Sequence, residues 1–135
     1  MRQSIFTFRI FSYGIIVWVI PFVLAIPLFQ LLGSNRLFFK SILGVILALT
    51  VVVFWGLYLR TVNSDFQKHS YSASVLWLVL SIVPDLLAFI IGFKMNAFTY
   101  FTEIAISYLV IPVILIGSSW ILDRKLQGKS YNQNL

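Results

Sequence analysis

The sequence predicts an all-α membrane protein in which four transmembrane helices form an antiparallel up-down bundle. Hydrophobic residues make up 60% of the 135 residues and charged residues only 10%, and the mean hydropathy is +0.96, unlike a soluble domain. Four apolar runs each exceed the roughly 20 residues that a helix needs to cross a bilayer core about 30 Å thick. The links between them have no room for a soluble domain, so residues 1–135 are predicted to form one four-span domain.

The four predicted spans cover residues 10–32, 37–59, 71–93 and 98–122. The first run is longer than the apolar core of a signal peptide, about 7 to 15 residues, and it lacks an A-x-A cleavage pattern, so we expect it to be retained. The second and third runs contain stretches that are apolar on every face. This pattern favours helices over barrel strands, in which apolar and polar residues alternate.

Basic residues predict the orientation of the bundle. The tails and the middle loop hold seven of them, and the opposite end of the bundle holds three: Arg2, Arg9, Arg60, Lys68, Arg124, Lys125 and Lys129 against Arg36, Lys40 and Lys94. The positive-inside rule therefore places both termini in the cytoplasm and predicts a multi-pass protein of the inner (plasma) membrane. The basic residues that give the net charge of +6 flank the apolar runs and share no surface patch, so nucleic acid is not a predicted partner.

Small residues predict which helix faces meet, because they let backbones approach closely in lipid. The third span carries the clearest stripe, with steps of four and three residues: Ser74, Leu78, Ser81, Asp85, Ala88 and Gly92. The fourth span offers a weaker one: Glu103, Ser107, Val110, Ile114 and Gly117. Aromatic residues near the predicted span ends are interpreted as an interfacial belt: Trp55, Tyr58, Tyr71, Tyr100 and Trp120.

Two acidic residues, Asp85 and Glu103, fall inside predicted spans. At 1.5 Å rise per residue both carboxyl groups lie roughly 8 to 12 Å beneath the outer surface, on helices joined by a short link. Charged groups at this depth are costly and usually face the bundle interior in pairs. We therefore expect Asp85 and Glu103 to form a proton- or cation-binding site, with Lys40 as a counter-charge and three neutral ligands: Ser81, Asn96 and Ser107. Such a site would serve ion- or proton-linked transport of a small solute.

A structural role for the same residues is the alternative. The dipole of the fourth helix stabilises Glu103 in its first two turns, Lys40 can extend to the headgroups, and Asp85 would hold helices together. The protein would then be a non-catalytic accessory, assembly or immunity-type protein that acts through helix packing. Under either role the predicted partners are the lipid bilayer and further copies of the chain or a larger membrane complex, and for transport we expect a homo-oligomer because four short helices enclose little cavity.

Catalysis and cofactors are not predicted. The chain has no cysteine, and its single histidine, His69, lies at the opposite end of the predicted bundle from the two acids. A serine, histidine and acid triad cannot be assembled from this arrangement, and neither thiolate nor multi-histidine metal centres are available. The sequence therefore favours transport or an accessory role over an enzyme.

The chain contains five segments that are similar to those of a known group: Ser34-Asn35-Arg36-Leu37-Phe38, Lys40-Ser41-Ile42, Pro84-Asp85-Leu86-Leu87, Thr102-Glu103-Ile104-Ala105 and Tyr108-Leu109-Val110-Ile111-Pro112. On these, the chain resembles a group of small, uncharacterised four-helix membrane proteins from prokaryotic genomes. The resemblance covers most of the chain, implies a self-contained four-span protein and supplies no activity. Small multidrug resistance transporters differ because they use a glutamate in the first helix, and vitamin K epoxide reductase-like enzymes differ because they need cysteines.

Overall fold

The computed structural model describes residues 2–92 and 94–133, and the side chains of residues 7–31, 33–92 and 94–128. This part of the chain is almost entirely helical and contains no strand. A π-helical segment, Leu87–Gly92, follows α4, and a 3₁₀ segment, Ala105–Leu109, precedes α6. The α-helices are α1 (Arg2–Leu28), α2 (Gln30–Ser34), α3 (Arg36–Leu59), α4 (Phe66–Leu86), α5 (Ala97–Glu103) and α6 (Val110–Gln133).

Four helical stretches are long and apolar enough to cross a membrane, which confirms the predicted fold class. We number them as the first to fourth spans: Thr7–Leu28, Arg36–Leu59, Phe66–Gly92 and Ala97–Gly128. The helices run beyond the predicted limits at the start of the first and third spans and at the end of the fourth, whereas the first span ends at Leu28, before the predicted residue 32. Hydropathy locates only the apolar part of a helix, whereas backbone hydrogen bonds continue into polar turns. The predicted end of the third span, residue 93, lies outside the described residues.

The spans are arranged so that the first contacts the second and third, and the fourth contacts the third and second. The two short links lie at one end, which we call the Asn35 end. The middle loop and both tails lie at the other, which we call the Arg60 end. Helices at the Asn35 end start with side-chain caps, because Asn35 Oδ1 accepts from Phe38 N at 3.1 Å and Asn96 Oδ1 accepts from Phe98 N at 2.8 Å.

Aromatic side chains fill the centre of the bundle. Trp55 and Trp77 meet edge to face with ring centroids 6.1 Å apart. Their indole groups donate at 2.9 Å to Ser118 Oγ and to the Ile10 carbonyl, respectively, as buried tryptophans require.

The interpretation of five aromatic residues as an interfacial belt is wrong for three of them. Trp55, Tyr58 and Tyr100 are buried between helices, and only Tyr71 and Trp120 are exposed. Position near a span end therefore did not distinguish lipid-facing rings from core rings.

The outward faces of the spans are apolar. Side chains such as Val75 and Val113 are 65% and 69% exposed, and similar residues surround the bundle. Exposed apolar surface of this extent is a liability in water but is the required contact with lipid tails. The structure thus supports a multi-pass membrane protein.

The predicted interior face of the third span is confirmed from Ser74 to Asp85, where Ser74, Ser81 and Asp85 are buried, but not at Gly92, which is exposed. The prediction is wrong at Ser107 and Gly117 of the fourth span, which are exposed, whereas Val110 and Ile114 are partly buried against the core. From residue 105 onward the buried residues of this span are Ala105, Tyr108, Ile111, Leu115 and Ser119. The predicted stripe was counted from Glu103, whose side chain is 28% exposed and pairs with Arg36 and Lys40. The phase of the stripe therefore differs from that of the buried residues by about one position, or about 100° around an α-helix.

Candidate ion-binding site

A cavity of about 200 Å³ lies in the half of the bundle nearer the Asn35 end. All four spans contribute to its walls, which are mostly apolar, and we call it the Asp85 cavity. Its apolar lining includes Pro21, Phe22, Ala25, Phe29, Phe39, Leu43, Leu47 and Phe89. Its polar lining consists of Arg36, Lys40, Asp85, Glu103, Ser107 and Tyr108.

Asp85 is the buried acidic group of this cavity, with only 3% of its surface exposed. Trp18 Nε1 donates to Asp85 Oδ1 at 2.7 Å, and the Tyr108 hydroxyl donates to Oδ2. These bonds join the first, third and fourth spans. Both donors are neutral, and no salt bridge reaches Asp85 from any described side chain.

The surroundings of Asp85 combine an acid with aromatic rings. Trp18 stacks on Phe22 with centroids 5.0 Å apart and an interplanar angle of 25°, and Phe22 lines the cavity. Asp85 precedes Gly92, the last residue of the third span, by seven residues, so it lies roughly 10 Å from the Asn35 end. This depth agrees with the one expected from the sequence.

Three charged residues of the cavity lining form an ion-pair cluster that we call the charged rim: Arg36, Lys40 and Glu103, whose side chains are 52%, 34% and 28% exposed. Glu103 Oε2 accepts from Lys40 Nζ at 3.0 Å and also from Arg36 Nη2. The two cations are four residues apart on one helix face and can therefore reach the same carboxylate. The cluster connects the second and fourth spans at the Asn35 end.

The predicted site residues separate into two groups. Four of them line the same cavity: Asp85, Glu103, Lys40 and Ser107. The two acids bind different partners, and Lys40 forms its salt bridge with Glu103. Ser81 is fully buried next to Asp85 in the helical turn, and its hydroxyl has no hydrogen-bond partner.

Asn96, the remaining predicted ligand, is exposed and caps the fourth span. Neither it nor Ser81 belongs to the cavity lining. Four of the six predicted site residues therefore share the cavity.

Irregular backbone lies directly beside the cavity. The third span changes from α- to π-helix two residues after Asp85, and Tyr108 belongs to the 3₁₀ segment of the fourth span. π-Helical insertions are frequent at functional sites, and transporters often build their binding sites at interrupted helices. The two helices that carry the acid and its tyrosine donor are thus both irregular at the site.

Three partners were missing from the sequence interpretation: Trp18 and Tyr108 for Asp85, and Arg36 for Glu103. The spacing of Arg36 and Lys40 was a usable signal, because residues four apart share a face. The donors of Asp85 were harder to identify. Tyr108 lies one position after Ser107, which the predicted stripe placed inside, and no local spacing marks an aromatic residue as a hydrogen-bond donor to Asp85.

The chemistry available at Asp85 is that of one carboxyl group with neutral donors and aromatic walls. No cluster of three His, Cys, Asp or Glu residues occurs in the described part of the chain, and this donor set suits a proton or an organic cation better than a transition metal. Fold and site together define a small polytopic membrane protein with a buried acidic group. Comparisons with protein-family models, curated proteins and solved structures found no match.

Proposed function

We propose that the protein moves a small solute across the membrane in a step linked to a proton or cation, and that Asp85 is the group that takes up the ion. One observation carries this proposal: a buried carboxyl group with no basic partner among the described side chains lines a cavity. An ionised carboxylate in such surroundings is costly, and ionisable groups inside membranes typically mark ion or proton pathways.

The charged rim takes a different role from the one that the sequence suggested. Glu103 already holds two cations, so Asp85 alone is the proposed ion-binding group. The rim would hold the cavity closed, because its ion pairs connect the second and fourth spans where the cavity meets the surface. Breaking these ion pairs would give a solute access to Asp85.

Proton flux in proteoliposomes tests the proposal. Vesicles that contain the native protein and an internal pH-sensitive dye are given a pH gradient, and we expect dissipation faster than in empty vesicles. Asp85→Asn should abolish the difference. The amide keeps the shape of the site, since its oxygen can accept from Trp18 and its NH₂ can donate to the Tyr108 oxygen. Asp123→Asn, which changes an acid outside the cavity, is the matched control and should retain flux.

Infrared spectroscopy provides a readout that needs no solute. A buried carboxyl group that takes up a proton gives a carbonyl stretching band in the pH difference spectrum. We expect this band in the native protein and in Asp123→Asn, and not in Asp85→Asn. Native-level flux in a correctly folded Asp85→Asn variant would overturn the proposal, as would the absence of both flux and band from the native protein.

An accessory, assembly or immunity-type role is the second candidate, and a specific observation favours it. Asp85 connects three spans through Trp18 and Tyr108, which is what a packing lock would do. In that case the native protein shows no flux. Trp18→Phe and Tyr108→Phe should then each cost roughly 0.6 to 1.7 kcal/mol, the range for hydrogen bonds between membrane helices, and reduce co-purification with a partner.

A further inference from the structure

A second concave surface lies at the Arg60 end of the bundle, whereas the Asp85 cavity lies in the half nearer the Asn35 end. It is a groove of about 430 Å³ between the end of the second span, the start of the third and the end of the fourth. Leu59, Phe66 and Leu122 form its apolar wall. We call it the Arg60 groove, and its volume lies within the roughly 300 to 1,000 Å³ of typical ligand sites.

Two cations, Arg60 and Lys125, lie beside this apolar wall. Both are exposed, and neither forms a salt bridge with a described residue. No acidic residue lines the groove. The surface is therefore apolar along one part and purely positive along another, which is complementary to an amphiphile with an anionic head.

The position of these residues along the spans fits the same ligand. Arg60 directly follows Leu59, the last residue of the second span, and Lys125 lies three residues before the end of the fourth. In a bilayer matched to these spans, the cations would lie near the lipid headgroups and the apolar wall would contact acyl chains. Basic pockets between transmembrane helices are recognised binding places for anionic lipid headgroups.

Gly56 makes room for a chain in the groove. It is exposed and contributes to the groove lining, and a Cβ placed on it would meet nothing within 4 Å. The absence of a side chain there is not required by packing within the bundle. It leaves a depression in the helix surface that continues the apolar wall.

We infer that the Arg60 groove binds an anionic phospholipid, with the phosphate between Arg60 and Lys125 and an acyl chain along Leu59, Phe66 and Gly56. This inference is independent of the proposed transport function. It concerns the other end of the bundle and holds whether or not Asp85 takes up ions.

Titration with short-chain lipids tests the inference. The purified full-length protein in uncharged detergent is titrated with dioctanoyl phosphatidylglycerol, or with dioctanoyl phosphatidylcholine, and binding is followed by native mass spectrometry and thermal unfolding. We expect phosphatidylglycerol to bind and raise the Tm more than phosphatidylcholine does. The double variant Arg60→Gln/Lys125→Gln should bind phosphatidylglycerol roughly thirtyfold more weakly, which is about 1 kcal/mol for each cation.

Lys68→Gln is the charge control, because Lys68 is exposed at the same end and does not line the groove. It should bind phosphatidylglycerol like the native protein. An equal loss in Lys68→Gln would show diffuse charge attraction and overturn the inference. Equal binding of the two lipids would also overturn it, and so would an equal rise in Tm with inorganic phosphate, which would assign the groove to a free anion.

Gly56→Leu provides a second test that leaves every charge in place. The new side chain has open space on the protein and would fill the depression, so we expect loss of phosphatidylglycerol binding with an unchanged Tm in detergent alone. Gly117→Leu is the control, since Gly117 is also exposed, a Cβ added to it would meet nothing within 4 Å, and it lines neither cavity. Native binding by Gly56→Leu would refute the placement of the acyl chain.

Discussion

Gly14 lies where the first span crosses the third, and its replacement by alanine tests the packing of the whole bundle. A Cβ at this position would lie 2.7 Å from Trp77 Cδ1 and 2.8 Å from Leu80 Cδ1. Carbon atoms of neighbouring side chains do not approach this closely, so one or both neighbours must move. The size of the effect depends on whether they can.

The two neighbours differ in their freedom. Leu80 contacts the new methyl group through the end of a flexible side chain, which can rotate away. Trp77 cannot easily do so, because it is fully buried, donates to the Ile10 carbonyl at 2.9 Å and packs against Trp55. Overpacking of this kind costs about 1 to 3 kcal/mol, and the helix propensity of alanine returns up to about 1 kcal/mol. We expect a net loss of about 1 to 2 kcal/mol in the free energy of unfolding.

Unfolding by sodium dodecyl sulfate in mixed micelles, followed by far-UV circular dichroism, measures this loss. Gly117→Ala is the matched control, because a Cβ there meets nothing within 4 Å, and it should be neutral or slightly stabilising. If Gly14→Ala proved as stable as Gly117→Ala, the close crossing of the first and third spans would be incorrect.

Two further predictions concern buried hydroxyl groups and the charged rim. Ser81→Ala should be neutral or stabilising by up to about 1 kcal/mol, because the hydroxyl is buried without a partner. Ser118→Ala should destabilise by about 1 to 3 kcal/mol, because it leaves Trp55 Nε1 unpaired. Detergent unfolding measures both, and a larger loss of stability in Ser81→Ala than in Ser118→Ala would contradict the hydrogen bonding described. Glu103→Gln should lower the Tm at low salt and remove the dependence of the Tm on sodium chloride, because dissolved ions screen the ion pairs of the rim. Asp123→Asn is the control. An unchanged salt dependence in Glu103→Gln would show that the rim does not hold the spans together.

The four spans could be predicted from the sequence because lipid imposes a length and a composition that no local detail overrides. The inward face of the third span was equally accessible, since its small and polar residues repeat without interruption from Ser74 to Asp85. The fourth span shows the limit. Its predicted stripe was counted from Glu103, which pairs with Arg36 and Lys40 at the edge of the bundle. The stripe was therefore out of phase, and Tyr108 lies in the interior in place of Ser107.

The candidate site was predictable in position but only partly in its contacts. The depth of Asp85 follows from counting residues, and a carboxyl group inside a membrane must have partners. Which partners it has depends on the rotation of the other helices, which place Trp18 and Tyr108 next to Asp85. Lys40 instead pairs with Glu103, as does Arg36, at the edge of the cavity.

The four tryptophans occupy distinct environments, and this makes the molecule its own optical reporter. Trp18 touches the buried acid, Trp55 and Trp77 form the central edge-to-face pair, and Trp120 lies 3.8 Å beneath the Arg124 guanidinium carbon. Variants that keep a single indole would therefore emit from one known location each. Ion uptake, loosening of the centre and lipid contact near the carboxyl tail can then be followed separately by fluorescence without attaching a dye.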